Sequence, residues 1–304
     1  MPVDSIITDS VNNFTVRENC IAGICDVAPL SLDTTGFTPF VSRNHLKRTD
    51  PAANLPGAKS IIVIGVESKI VNFPPMPEDA GSLSVLGVAD DYHIVVKTLL
   101  TKLVTELRIH INFKYKILVD SPTLDERALA VRAGLGFFGR NGLVFSPEYG
   151  SRFNIGLLLT DINIANLCNS QDIEYIPQAD DDEKSHACDN CNNCINACPT
   201  GALSESAGLD ASRCISYLTQ KENLTAEEAV LMGRHLYGCD ICQNVCPMNG
   251  RQPTAWANPE DWLSMTDTDF ANTYGHTAML WRGVALLKRN AKYLCATPSP
   301  KLLP

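Results

Sequence analysis

Ser60–Glu67 (SIIVIGVE) is a continuous apolar run of the kind a buried strand needs, and Pro56-Gly57 ahead of it marks a turn. From Asp90 to Leu107 the spacing changes. Ile94, Val95, Leu99, Leu100, Leu103, Val104 and Leu107 recur with helical period and predict an amphipathic helix. Lys116–Val119 is a second short strand, ended by Asp120-Ser121-Pro122, and Leu124–Ala133 reads as a helix stopped at Gly134. Beyond a glycine-rich loop at 136–142 (GFFGRNG), Leu143–Phe145 and Phe153–Leu159 return to strand. Alternating strands and helices predict an α/β (α+β) module over residues 1–165. An acidic linker or insertion follows at 166–185, a cysteine-rich domain at 186–250, and a helical segment at 251–304, with helices expected at 225–235, 260–271 and 278–295.

The 304 residues suffice for a sizeable core, and 45% hydrophobic with 19% charged residues is an ordinary globular balance. The first residues have no basic start, and the apolar runs are too short to span a bilayer, so a cytoplasmic protein with no membrane partner is expected. A net charge of −9 argues against nonspecific attraction to nucleic acid or anionic lipid. The charge is uneven. Six acids and no base lie between Cys168 and Glu183, whereas no acid follows Asp269 and Arg282, Lys288, Arg289, Lys292 and Lys301 do.

Twelve cysteines change the picture, because eight of them fall between 188 and 246. Cys188-x2-Cys191-x2-Cys194-x3-Cys198-Pro199 has the bacterial ferredoxin spacing, in which three thiolates wrap one cubane and the fourth leaves for another. Cys239-x2-Cys242-x3-Cys246-Pro247 repeats the last three positions, but its leading position is Leu236, which leaves Cys214 to complete the count. Two 4Fe–4S clusters are therefore expected. One takes Cys188, Cys191, Cys194 and Cys246, the other Cys239, Cys242, Cys214 and Cys198. A pair of zinc sites would explain the CxxC pairs but not the third cysteine or the prolines. Cys20, Cys25, Cys168 and Cys295 are left over as buried hydrophobes or surface thiols.

Two further features could carry chemistry. Asp120 closes a strand, where α/β sites gather their residues, or else it is a turn or N-cap residue for the 124–133 helix. The GxGxxG pattern from Gly134 to Gly139 follows a helix and opens none, so it is no dinucleotide site, although the glycines could admit a ligand to the backbone.

Taken together, these segments resemble the epoxyqueuosine reductases, the cobalamin-dependent enzymes that finish queuosine in tRNA. The likeness rests on Leu55–Ser60, Asp91-Tyr-His93, Val119-Asp120-Ser121 with Glu126-Arg127, and Ala133–Phe137 with Gly139-Arg-Asn141. It continues through Tyr149-Gly-Ser151, Asp210–Leu218, Tyr237–Asp240 and both cysteine runs. The resemblance implies a cobalamin on the α/β module beside the nearer cluster, an architecture shared with reductive dehalogenases. It also implies Asp120 as proton donor, with burial raising its pKa, and Ser216, Gln220 and Asp240 as corrinoid contacts. Expected partners are a low-potential electron donor, such as ferredoxin or flavodoxin, and tRNA. Family members continue into helical repeats, whereas this sequence stops at Pro304, so a short form is expected. Two other readings remain open: a cobalamin-dependent reductase of a small organic substrate, and an electron-transfer protein that reduces a partner's corrinoid or flavin.

Overall fold

The computed structural model describes residues 3–31, 39–68, 72–164, 188, 190–205, 208–250 and 252–296. The acidic stretch 166–185 and Cys168 lie outside them. In chain order the strands are β1 (Ile21–Cys25), β2 (Ser60–Glu67), β3 (Gly81–Leu83), β4 (Tyr115–Val119), β5 (Phe137–Phe138), β6 (Val144–Phe145), β7 (Phe153–Thr160), β8 (Leu203–Ser204), β9 (Gly208–Leu209), β10 (His235–Tyr237) and β11 (Ala255–Ala257). The helices are α1 (Val3–Glu18), α2 (His45–Thr49), α3 (Tyr92–Leu107), α4 (Glu126–Arg132), α5 (Asn193–Ala197), α6 (Ile215–Leu218), α7 (Ala226–Leu231), α8 (Ile241–Asn244), α9 (Pro259–Ser264), α10 (Asp267–Tyr274) and α11 (Gly283–Ala296). They divide between two compact units, one of 1–67 with 93–191, the other of 68–92 with 192–304.

In the first unit, β2 and β7 pair along their whole length, from Ser60 opposite Thr160 to Glu67 opposite Phe153. β1 and β4 flank them in the order β1-β2-β7-β4. Every pairing in this sheet is antiparallel, so the fold is α+β rather than a parallel α/β sheet. The unbroken apolar run of β2 follows from burial on both faces. Ile62 and Ile64 join Leu158 in a core covered by α1 and α3, while Ile61 and Val63 join Leu157 and Leu159 against α4. Helix α1 docks through Ile7, Val11 and Phe14, spaced four and three residues apart.

The second unit is built on a three-stranded sheet, β10-β3-β11, with β10 parallel and β11 antiparallel to β3. Leu83, Leu236, Trp262, Phe270, Met279 and Leu287 form its core. The expected helix at 260–271 is two helices. Met265 leaves helical geometry and Thr266 begins a new capping box with Asp269. The 225–235 helix stops at Leu231, before Gly233 at φ +55, and His235–Tyr237 enters the sheet instead. The 278–295 segment starts as a 3₁₀ turn over Ala278–Arg282 and becomes α-helical from Gly283. The fully buried Asn290 of α11 donates to the carbonyls of Thr219 and Leu236, both at 2.8 Å, tying that helix to the cysteine region. Among the described residues no helix is long and apolar enough to cross a membrane.

Candidate functional site

The two cysteine runs fold into the same local shape. Asn192 (φ −116°, ψ 15°) opens α5 and Asp240 (φ −116°, ψ 13°) opens α8. In each, a backbone bond of 2.8 Å spans the first turn, Asn196 N to Asn192 O and Asn244 N to Asp240 O. Each run then closes with a bond of 3.1 Å back to the last cysteine carbonyl, from Gly201 N in the first and Asn249 N in the second. The two short helices pack together, and Asn193 Nδ2 reaches the Val245 carbonyl. This internal repeat is what the paired CxxCxxxCP spacing implies physically: two equivalent loops, each presenting thiols from one helical turn.

Cys214 precedes α6 and is drawn toward the first run by its neighbour. Arg213 Nε donates to the Thr200 carbonyl at 2.9 Å, two residues beyond Cys198. All eight cysteines are of intermediate exposure. Burial pushes the Cys239 and Cys242 thiols up to about 12. Repulsion from the Cys214 thiolate, and at Cys242 also from those of Cys194 and Cys198, raises both further. Burial also opposes ionisation of Cys198, but the Thr200 hydroxyl and the N–H groups of Leu203, Ala202 and Thr200 outweigh it and hold this thiol below its usual range. Such a cradle of donors suits a metal-bound thiolate. Among the described residues no three His, Cys, Asp or Glu side chains could hold a single metal ion. A cubane asks for something different, four thiolates spread over separate irons. The donor set fits two of them.

Asp240, expected at the corrinoid, has both carboxylate oxygens engaged. Oδ1 accepts from Ser84 Oγ at 2.9 Å and Oδ2 from Val85 N at 2.7 Å, fastening the Cys239 loop to the end of β3. Gln220 is also held at both ends, donating to the Ser216 carbonyl at 3.0 Å and accepting from Arg282 Nε at 3.1 Å. The Ser216 hydroxyl, half-buried on α6, has no hydrogen-bond partner among the described residues and is available to a ligand.

Asp120 follows the edge strand β4 and takes a left-handed backbone at φ +46°. Its carboxylate does not cap the next helix; that role belongs to Asp125, whose Oδ1 accepts from Ala128 N at 3.0 Å. The Asp120 side chain is 65% exposed, not buried as a raised pKa would need, and Oδ2 lies 3.4 Å from His93 Nε2. His93, at the start of α3, was missed as a functional residue by reasoning from sequence, although its Asp91-Tyr-His93 motif was visible. In an antiparallel sheet the parallel-strand rule that singled out Asp120 does not operate. The two oxygens of Glu126 accept from Asp120 N (2.9 Å) and Ser121 N (2.8 Å). The 136–142 segment contains β5 and runs into the tip of its hairpin with β6, secured by Arg127 Nη1 donating to the Gly142 carbonyl at 2.9 Å. Cys20 and Cys25 are buried in the apolar clusters on the two faces of the sheet, and Cys295 is exposed.

Comparison with known proteins agrees with this geometry. Residues 187–249, which hold all eight cysteines, match a family model described as a 4Fe–4S double cluster binding domain. The chain is thus an iron–sulfur protein of the two-cubane class. Residues 48–121 match a second model, epoxyqueuosine reductase QueG, DUF1730. An epoxyqueuosine reductase of Lactococcus garvieae is 36% identical over 271 residues, 84% of this chain and 73% of the relative. One from Cyclobacterium marinum is 32% identical over 268 residues, covering 82% and 81%. The chain belongs to the epoxyqueuosine reductase family. It spans a smaller share, 66%, of the Bacillus cereus relative, to which it is 35% identical over 263 residues and 81% of its own length. A solved epoxyqueuosine reductase with an epoxyqueuosine-modified tRNA-Tyr stem loop superimposes with a TM-score of 0.83 at 29% identity, covering 97% of this chain and 82% of that one. The Bacillus subtilis enzyme, solved with its aspartate catalytic loop swung out of the active site, gives 0.81 at 28% identity with the same coverage.

Proposed function

We propose that this chain is a cobalamin-dependent iron–sulfur reductase that converts epoxyqueuosine to queuosine in tRNA. The observation that carries the reading is the Asp120–His93 pair within a chain that also holds the double-cluster cysteine set. Cys188, Cys191, Cys194 and Cys246 would hold one cubane, and Cys239, Cys242, Cys214 and Cys198 the other. The 1–165 module would carry the chemistry and the 186–250 domain would deliver electrons from a ferredoxin or flavodoxin. Deoxygenating an epoxide to an alkene takes up two electrons and two protons and releases water. The corrinoid, when bound, supplies a low-potential two-electron centre for the carbon being reduced.

The chain's own residues supply protons and position. Asp120 gives a proton to the departing oxygen, and His93, 3.4 Å away, orients its carboxylate and passes the next proton to it. An exposed carboxylate is largely ionised near neutral pH and has little proton to give. A bound corrinoid and substrate would bury it and favour the protonated form. Ser216 offers its hydroxyl to the corrinoid and Gln220 lines the same turn. Asp240 contributes by holding the Cys239 loop. The tRNA substrate is favoured by the similarity to a reductase solved with a modified stem loop.

The test is anaerobic reconstitution with iron, sulfide and cobalamin, followed by reduction and single turnover on epoxyqueuosine in a tRNA stem loop or as the free nucleoside. Mass spectrometry should show loss of one oxygen, dependent on cobalamin. Cluster-loaded protein that leaves both forms unchanged would overturn the reading.

A further inference from the structure

Asp120 occupies a backbone region that side chains other than glycine rarely adopt. Among the described residues only Asn19, Phe40 and Asp120 do so without being glycine. Such a conformation persists where surrounding contacts over-determine it. Here the left-handed turn aims two successive N–H groups, of Asp120 and Ser121, at one acceptor.

We propose that Glu126 is the positioning residue of the Asp120 loop, its two carboxyl oxygens clamping both N–H groups so that the Asp120 side chain stands beside His93. The inference rests on the reading of Asp120 as proton donor and adds the group that holds it in place. Glu126 is the first residue of α4, yet it serves that helix little. Asp125 provides the cap, and both Glu126 oxygens reach back outside the helix. Further contacts pin the turn while leaving these two N–H groups to Glu126. Ser121 Oγ and Thr123 Oγ1 lie 2.8 Å apart, and Ser42 N donates to the Pro122 carbonyl at 2.6 Å. Two N–H bonds converging on one carboxyl group fix its direction as well as its distance. Glu126 is half-buried, and burial pushes its carboxyl up to about 8, opposed first by the Ser121 N–H.

Glu126→Ala and Glu126→Gln in the full, cluster-loaded protein separate this role from a merely structural one. Gln keeps one acceptor oxygen and the packing but turns the second acceptor into a donor that faces an N–H. Site-resolved hydrogen exchange should show the Asp120 and Ser121 amides exchanging about tenfold to a hundredfold faster in Glu126→Ala, and less so in Glu126→Gln. Exchange elsewhere in α4, iron content and substrate KM should stay unchanged while single-turnover rate falls. Unaltered exchange at 120–121, or equal acceleration throughout α4, would overturn the inference. Failure of the native protein to reduce epoxyqueuosine would sink the functional reading alone, because the exchange measurement judges the clamp independently.

Discussion

Replacing Gly238 by Ala perturbs the second cysteine loop at a defined point. Gly238 has φ +67°, and an added Cβ would lie 2.4 Å from Ser84 Cβ and 3.2 Å from Ser84 Oγ. Left-handed strain costs an alanine about 1–2 kcal/mol. Overpacking adds roughly 1–3 kcal/mol, because the obstruction is the base of a short side chain and not a flexible tip. Gly233→Ala is the matched control. Its φ of +55° carries the same strain, but nothing lies within 4 Å of the new Cβ, and the stiffer unfolded chain returns about 0.4–1 kcal/mol. Gly238→Ala should therefore be about 1–3 kcal/mol less stable than Gly233→Ala. The damage should be directed. Relieving the clash moves Ser84 away, which stretches the bonds that Asp240 accepts from Ser84 and Val85 and loosens Cys239. Anaerobic denaturation and iron analysis of the two variants provide the assay, with iron lost from one cluster in Gly238→Ala only. Equal stability and equal iron in the two variants would refute the packing argument.

Cys214→Ala should lose about four of eight irons, leaving one cubane spectrum, while Cys20→Ser and Cys25→Ser keep full iron because all eight ligand places are filled elsewhere. Glu126 gives a pH dependence with a definite sign. Its carboxyl sits near 8 in the folded protein against 4.5 in the unfolded chain, with burial first and the facing Asp120 and Asp125 charges raising it against the Ser121 and Asp120 N–H donors. The folded state thus keeps a proton that the unfolded state releases. Its stability contribution is complete below 4.5 and is lost as pH rises through about 8. Denaturation midpoints should fall across that window in the native protein and flatten in Glu126→Gln.

What could be read from the sequence was local. The cysteine spacings work within single turns, so the doubled loop was legible, and so were β2 and β7, whose unbroken apolar runs report burial on both faces. Strand order was not, because antiparallel pairing of β2 with β7 joins residues nearly a hundred positions apart. Helix α1 escaped notice because only Ile7, Val11 and Phe14 mark its buried stripe among polar neighbours. The stop within 260–271 was written in Thr266 and Asp269 as a capping box. Asp120 was found as the residue after a strand, but its partners His93 and Glu126 depend on a left-handed turn and a helix start that no spacing reveals.

Single turnover by Asp120→Asn beside the native protein tests the central claim most directly. Asparagine keeps the size of the side chain and tolerates the left-handed backbone, but has no proton of suitable acidity to give. With clusters and cobalamin loaded equally, the native protein should convert epoxyqueuosine in a tRNA stem loop to queuosine. Asp120→Asn should do so about a hundred- to ten-thousand-fold more slowly, with an unchanged melting curve. Conversion at the native rate by Asp120→Asn would contradict the account.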